Sequence, residues 1–580
     1  MDVVFHQDGH LPSKTILLES VLVGLVLLVS IVPLGRGFGP YWDTWFYYDH
    51  AVRWSAWYAA WVNGDSAEPL SNWRHYFPDE QRHPPLLEWG GGLTHALFAG
   101  TLGNVSSVRL FVELFAGLFS TVSYAFLRNR VGRGLAIVGV LLFWGSPRFF
   151  LHSVLYAIDG LIAAVYGLAL LSFLLWDRGW KGKLVVYAAL TLALLTKLQA
   201  LYLIPILFLW TGFGATRGFR RTSPENELPG YDTSGFIKEW LKSAGVVGAS
   251  CATFFILWPA LWLDFPKGVF QYLDFITTHS NVPVLYFGTL YKGDSIPPWH
   301  YPWVFTAIAL PLTLTVPAMV RLLRTLRECV KKDSTQIGRE DALLWAGALL
   351  PLWVSSLPQA PKYDGIRLLL PAYGPLSILA GLEIARWWNR LEIRLFSDLA
   401  KLVRASALAL LAFLVLLPSI RVYPFNLVYY SPSIRGTHGA RERGFDLDYL
   451  GVSMHRLNPA LAEHARHGDL LLLAGCNALV GPRAADEWFP VSNKIRFTTD
   501  FTSFPDLQRG VLQQMKSEGM RVFAIIGSRY SDLNDKALLA LETVPELDRV
   551  EYDGERLFSL HQLPQGFIER WRASEGTTSP

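Results

Sequence analysis

Long apolar runs alternate with short basic ones over most of this chain. The first covers residues 16–34. Others lie at about 106–127, 134–151, 153–176, 183–213, 243–263, 301–323, 342–357, 368–386 and 403–421. A helix of about 20 apolar residues is long enough to cross a bilayer. Nothing like a small-x-small cleavage site follows the first run, where the chain continues Gly35-Arg36-Gly37-Phe38. That run reads as an uncleaved span and not as a signal peptide.

The loops between the runs carry the basic residues. Arg128, Arg130 and Arg133 form one cluster; Arg178, Lys181 and Lys183 a second; Arg217, Arg220 and Arg221 a third. Arg321, Arg324, Arg327, Lys331 and Lys332 follow, then Arg386, Arg390, Arg394, Lys401 and Arg404. Loops rich in Lys and Arg stay on the cytoplasmic side. The run 183–213 has such a cluster at each end, so it crosses an even number of times. It fits a tight helical hairpin with its tip at Thr196-Lys197-Leu198-Gln199. The pattern predicts about eleven crossings, with the N-terminus cytoplasmic and the C-terminus outside. Segments 35–105, 264–300 and 358–367 then share the outer face with the tail.

After residue 421 the period changes. Leu470-Leu471-Leu472-Leu473-Ala474-Gly475 and Arg521-Val522-Phe523-Ala524-Ile525-Ile526-Gly527 read as buried strands, with an amphipathic helix expected over 506–520 between them. The stretch 551–558 reads as a hairpin turning at Asp553-Gly554. Residues 575–580 read as a frayed end. The expected fold is a polytopic α-helical membrane protein with a C-terminal extracytoplasmic α/β domain. Residues 1–421 form its transmembrane module, and residues 422–580 its soluble periplasmic domain.

Composition agrees with that division. The chain of 580 residues is 51% hydrophobic and 17% charged, where a soluble domain carries roughly a quarter charged residues. Its mean hydropathy of +0.26 is too high for a soluble chain and too low for one that is membrane throughout. A net charge of +4 over this length does not argue for a nucleic-acid partner. Cys251, Cys329 and Cys476 make no disulfide framework.

Candidate chemistry gathers on the predicted outer face. The stretch 39–54 is packed with aromatics, Tyr48 among them, and holds Asp43 and Asp49; it suits a helix lying at the interface. Arg82-His83-Pro84-Pro85-Leu86-Leu87 follows in the same loop. A carboxylate just after the first span is placed to meet a lipid-borne substrate and a water-side acceptor together. The plainer reading is an aromatic belt with incidental aspartates.

Lys197 lies deep in an apolar run, where a charge costs a few kcal/mol. It either pairs with an anion such as a lipid phosphate or snorkels to the interface. Asp159, early in a span, either contacts substrate or is bonded within the bundle, to a neighbouring helix or to Lys197 or Arg148. His83 and His152 are single histidines, each a substrate contact or a satisfied polar residue. Lys362 and Arg367 sit beside Asp364, either as a donor-phosphate site or as a solvated charge cluster. Gly90-Gly91-Gly92 is no phosphate loop, since no strand precedes it and no Gly-Lys-Ser/Thr follows. The tail has no Gly-x-Gly-x-x-Gly either, which disfavours a nucleotide-sugar donor. No His or Cys cluster calls for a structural metal. A divalent cation held between a carboxylate and a phosphate stays open.

Taken in order, these motifs resemble those of the multispanning GT-C glycosyltransferases. Within that class they resemble the GT39-like branch of protein mannosyltransferases and aminoarabinose transferases. In that branch an acidic residue follows the first span. Asp43 holds this position, and Thr44 stands where a Glu is usual. His83-Pro84-Pro85-Leu86 resembles the loop motif before the second span. Gly145-Ser146-Pro147-Arg148, with His152 and Asp159 beyond it, resembles the outer turn between spans three and four. Leu194-Leu195-Thr196-Lys197 resembles the family's lysine-bearing tip. Tyr286-Phe287-Gly288, Pro297-Pro298-Trp299-His300, and Lys362-Tyr363-Asp364-Gly365-Ile366-Arg367 are similar to later landmarks, and Tyr429-Tyr430 with Gly444-Phe445-Asp446 to the start of the tail.

The similarity covers most of the first 450 residues. It implies transfer with inversion from a polyprenyl-phosphate-linked sugar donor, such as undecaprenyl-phosphate hexose, to a hydroxyl of a glycan, lipid or protein acceptor. Asp43 would be the general base. Lys197 and Arg367 would offset the charge of the leaving phosphate, with His83, Asp159, Tyr48, Lys362 and His152 as further substrate contacts. The alternatives are a transporter or flippase of lipid-linked saccharides, or a non-catalytic anchor of the outer domain. Transporters tend to show inverted repeats, and none is visible; a mere anchor has no need of Lys197 or Asp159 inside spans. The expected place is a bacterial inner membrane, with an endoplasmic-reticulum membrane compatible with the same topology.

Overall fold

The computed structural model describes residues 13–39, 42–64, 83–222, 233–277, 282–330, 338–391, 398–474, 496–498, 513–533 and 535–569. Its helical part opens with α1 (Lys14–Gly35), α2 (Trp42–Val62), α3 (Leu86–Leu102), α4 (Asn104–Val131), α5 (Arg133–Trp144) and α6 (Pro147–Val154). It continues with α7 (Ile158–Ser172), α8 (Gly179–Leu194), α9 (Leu203–Thr222), α10 (Thr233–Leu257) and α11 (Lys267–Thr277). A two-stranded ribbon, β1 (Val284–Tyr286) and β2 (Thr289–Tyr291), leads to α12 (Tyr301–Ala309), α13 (Leu312–Val330), α14 (Arg339–Ser355), α15 (Leu370–Leu391) and α16 (Asp398–Val422).

Among the described residues six helices are long and apolar enough to cross a membrane, or seven if α5 and α6 count as one span bent by 77°. The chain is a multi-pass membrane protein. These six pass by length and composition alone; several of the other apolar runs are broken by local residues. Pro147 opens α6 after Gly145-Ser146 and turns the run 134–151 through a corner. The run 301–323 is not one span but two helices, α12 and α13, divided at Leu310-Pro311. The run 183–213 stops as an α-helix at Leu194 and resumes at Leu203 through a 3₁₀ turn over Leu198–Tyr202.

Several described members of the basic clusters are paired with carboxylates. Arg128 Nε donates to Glu19 at 2.9 Å, Arg130 Nε to Glu340 at 2.8 Å and Arg321 Nη2 to Asp341 at 2.6 Å. Buried Glu383, in the later half of α15, takes Arg324 at 2.5 Å. The centre of the bundle is α15, whose residues from Leu370 to Ala385 are all buried. It approaches α5 backbone to backbone: a Cβ added at Gly381 would lie 2.9 Å from the Gly139 Cα. Small residues permit such contact between helices in lipid. Gly381→Val forces that interface apart and is expected to cost about 1–3 kcal/mol, read as a lower Tm in detergent; an unchanged Tm would show that α5 yields freely.

The tail adds α17 (Gly436–Glu442), α18 (Asn458–His464), β3 (Leu470–Ala474), β4 (Arg496–Thr498), β5 (Val522–Gly527), α19 (Asp535–Thr543), β6 (Glu546–Tyr552) and β7 (Glu555–Leu563). The sheet order is β4-β3-β5-β7-β6, with β3 parallel to β4 and β5, and β7 antiparallel to β5 and β6. The continuous apolar runs of β3 and β5 suit strands covered on both faces. Asp553 and Gly554, at φ of 54° and 76°, form the two-residue turn expected between β6 and β7. Of the helix expected over 506–520, residues 513–517 are helical and 506–512 lie outside the described residues, as does the frayed end expected at 575–580.

Successive strand residues point to opposite faces, and the sheet uses both. Leu471, Leu473, Phe523 and Ile525 join the same apolar cluster as the helical bundle. Leu470, Leu472, Val522 and Ala524 form a second cluster with Ala537 and Ala540 of α19. The tail is therefore packed onto the helices through one face of its sheet.

Candidate active site

The first span ends at Gly35, and Arg109 of α4 fixes the turn that follows. Its Nη1 donates to Gly35 O at 2.7 Å and Phe38 O at 3.0 Å, and its Nη2 to Gly39 O at 2.9 Å. Gly39 N in turn donates to Val452 O of the tail at 3.2 Å. This turn delivers Asp43 in the first turn of α2, where a helix N-terminus favours a negative charge. Asp159 has the same place in α7. Lys197 sits in extended backbone just after α8 stops. Arg367 enters α15 after a turn in which Asp364 and Gly365 have φ of 53° and 59°.

These residues meet at one end of the bundle, around a single guanidinium. Arg367 Nε donates to Asp159 Oδ2 at 2.7 Å, Nη1 to Asp364 Oδ2 at 3.1 Å, and Nη2 to Asp43 Oδ2. Asp159 Oδ1 accepts from Lys197 Nζ at 2.5 Å. Asp159 thus pairs with Lys197, one of the two partners its sequence context suggested, and with Arg367, which was not foreseen. The three carboxylates differ in access. Asp159 and Asp364 keep 1% of their side-chain surface open, whereas Asp43 keeps 29%. Asp43 is the one carboxylate of the three that a hydroxyl from outside can reach. Burial pushes its carboxyl up from the ordinary carboxylate range, against the charge and hydrogen bond of Arg367, which pull it down.

The other candidates lie around this network. His83 is placed between Tyr47 and Phe275, with ring centroids 6.2 and 5.1 Å away. Tyr48 turns to His95 at 6.0 Å, and its neighbour Tyr47 is buried beside the charges of Asp43 and Asp159. Lys362 Nζ donates to the carbonyls of Leu357 and Ala360 at 2.7 and 3.1 Å, beside a small crevice lined by Tyr363, Gly365 and Leu368. His152 is buried, and neither ring nitrogen has a hydrogen-bond partner among the described residues. Arg148 donates through Nε to Tyr429 O at 3.0 Å and lies over the Tyr430 ring at 4.3 Å. Arg82 lies outside the described residues.

Asp364 stands in the sequence beside Lys362 and Arg367 and within the landmark 362–367, and its ion pairs come only with the fold. Arg109 belongs to no motif, and nothing in the aromatic stretch 39–54 sets Tyr47 apart from its neighbours. Among the described residues no group of three or more His, Cys, Asp or Glu is placed to hold a metal ion. The three aspartates converge on a guanidinium instead.

Residues 82–224 match the model of the dolichyl-phosphate-mannose-protein mannosyltransferase family. This segment contains His83, His152, Asp159 and Lys197. The match is a likeness of this segment, a minor part of the chain, to that family.

Among solved structures, the chain is similar to ArnT from Cupriavidus metallidurans in the apo state, at 16% identity and a TM-score of 0.47, covering 92% of this chain and 97% of that one. The same protein bound to undecaprenyl phosphate matches at 15% identity and a TM-score of 0.46, covering 94% and 98%. The Archaeoglobus fulgidus oligosaccharyltransferase in the apo form matches at 12% identity and a TM-score of 0.43, covering 88% and 69%. No curated protein matches the chain.

Proposed function

We propose that this protein transfers a sugar from a polyprenyl-phosphate donor to an acceptor hydroxyl, with inversion at the anomeric carbon. The observation that carries the reading is the access of Asp43 beside Arg367, at the end of the bundle where Lys197 and Asp159 also lie. The acceptor oxygen forms the new bond to the anomeric carbon while the bond from that carbon to the phosphate oxygen breaks. The proton of the hydroxyl passes to Asp43, the general base. The electron pair leaves with the polyprenyl phosphate, so no general acid is required. Arg367 and Lys197 carry the positive charge that offsets the developing phosphate charge. A guanidinium matches phosphate oxygens two at a time, and donor binding exchanges part of its carboxylate contacts for phosphate.

The arrangement of spans and basic clusters supports an inner-membrane enzyme whose site and tail, residues 422–580, face away from the cytoplasm. His83, Tyr48, Lys362 and His152 are proposed as contacts to donor or acceptor around the central network. The direct test is transfer in vitro, with purified protein and a panel of polyprenyl-phosphate sugars, the product read by mass spectrometry. Formation of a glycosylated acceptor with release of polyprenyl phosphate is expected. Movement of a lipid-linked saccharide across a vesicle membrane, with no transfer, would replace the reading by that of a flippase.

Lys197 separates donor binding from chemistry. Loss of one charge-assisted contact to phosphate is worth about 1.5–3 kcal/mol, so Lys197→Ala is expected to weaken polyprenyl-phosphate binding about 10–100-fold. Equal affinity in wild type and variant would leave Lys197 as a partner of Asp159 alone.

A further inference from the structure

The charge network does not end at Arg367. Asp364 lies between two guanidinium groups: its Oδ2 accepts from Arg367 Nη1 at 3.1 Å, and its Oδ1 is 3.0 Å from Arg529 Nη2. Arg529 belongs to the tail, two residues beyond β5, and its side chain is 1% exposed. It is held from several sides. Its Nε is 2.8 Å from Asp532 Oδ2, its Nη1 donates to Tyr449 O at 3.1 Å, and its Nη2 to Pro283 O at 3.2 Å. The buried sheet of the tail thus sets one cation against the carboxylate that also touches the central guanidinium of the candidate active site.

We propose that Arg529 is a positioning residue for sugar transfer: by holding Asp364, it fixes the orientation in which Arg367 reaches both Asp43 and Asp159. The tail then completes the active site from behind, whatever else it binds. The physical reason is charge balance in a buried place. Arg367 faces Asp43, Asp159 and Asp364, and Lys197 answers only Asp159. With Arg529 present, Asp364 has a second cation and Arg367 is free to hold its other two partners. Without it, Asp364 is a buried carboxylate with one remaining partner, and it draws Arg367 towards itself. A shift of about 1 Å in a catalytic group costs on the order of 100-fold in rate. This inference rests on the reading of Asp43 as the general base.

The test compares Arg529→Gln, Asp364→Asn and the double variant in the full-length protein, by transfer kinetics and by the pH dependence of kcat. Arg529→Gln is expected to lower kcat on the order of 10–100-fold. The acid limb of its pH profile moves to higher pH, because a lost cation favours protonated Asp43. The groups facing Asp43 are Arg367, Asp159, Asp364 and the phenols of Tyr47 and Tyr363; of the charged ones Asp364 loses one of its two cations. Asp532 is stranded too, but only Asp364 touches Arg367, so adding Asp364→Asn is expected to recover part of the rate and to bring the limb back towards its wild-type position. Were Arg529 only glue between tail and bundle, the second substitution would deepen the loss and the acid limb would not move. Should Arg529→Gln fail to fold, Arg529→Lys keeps the charge and is expected to lose rate with the limb in place; wild-type kcat in that variant overturns the proposal. A wild-type protein that transfers no sugar from any donor overturns the reading of Asp43. A wild type that transfers, with Arg529→Gln equal to it, overturns the role of Arg529 alone.

Discussion

Asp43→Asn is expected to lower sugar transfer by about 100–10,000-fold while leaving the fold and donor binding in place. The side-chain amide oxygen of Asn still accepts from Arg367 Nη2, the bond that Asp43 Oδ2 makes. What disappears is the ability to take a proton. The measurement is turnover with saturating donor, alongside polyprenyl-phosphate affinity in the same preparation. Turnover within a few-fold of wild type would remove Asp43 from the role of base. The wild-type rate has a sign in pH as well. A base works when ionised, so the rate falls as pH drops through the pKa of Asp43. Burial holds that pKa above the ordinary carboxylate value, so the acid limb is expected at higher pH than for an exposed aspartate. A limb at or below the ordinary value would show that water and Arg367 outweigh burial at this carboxylate.

Replacing Arg367 by Met should give the largest loss of stability of any single change in the network. It leaves Asp43 and Asp364 each short of a cation and Asp159 with Lys197 alone. Removing one partner from a buried ionic cluster costs about 3–5 kcal/mol, because the charges left behind have lost both water and their counterion. The expected result is a large fall in Tm in detergent and a poor yield of folded protein. Arg367→Lys keeps the charge, but a point charge cannot bond three carboxylates in a planar fork, so it falls between. Adding Asp159→Asn to Arg367→Met removes one stranded charge and should restore part of the Tm. An Arg367→Met protein as stable as wild type would mean that the aspartates are neutral in the resting enzyme.

Several elements were legible because their signals are local. The strands over Leu470–Ala474 and Val522–Gly527 and the Asp553-Gly554 turn follow from unbroken apolar runs and from a pair of residues that tolerate positive φ. The break at Leu195–Lys197 lies where basic clusters on both sides demand a reversal. Breaks inside the apolar runs were less legible. Hydropathy sums over a window and does not register a corner, so Pro147 and Pro311 divide runs that look continuous. Tyr48 and Tyr47 show the same limit at the scale of one residue. Both are aromatic and adjacent, and only the packing of α2 decides that Tyr47 lies beside the carboxylates.

Read along the chain, the residues were enough to specify a helical membrane module with an α/β tail, and to single out Asp43, Asp159, Lys197 and Arg367 as candidate site residues, each with a plainer alternative beside it. Which charge answers which was settled by packing in three dimensions. Arg367 lies 324 residues from Asp43 and 208 from Asp159, and yet one guanidinium bonds both. Arg529, two residues beyond β5 in the tail, reaches the same cluster. Apolar periods and turn residues act over a few neighbours and so are written in the order of the chain. A buried charge is balanced by whatever group the fold brings within about 3 Å, and that distance carries no trace in sequence.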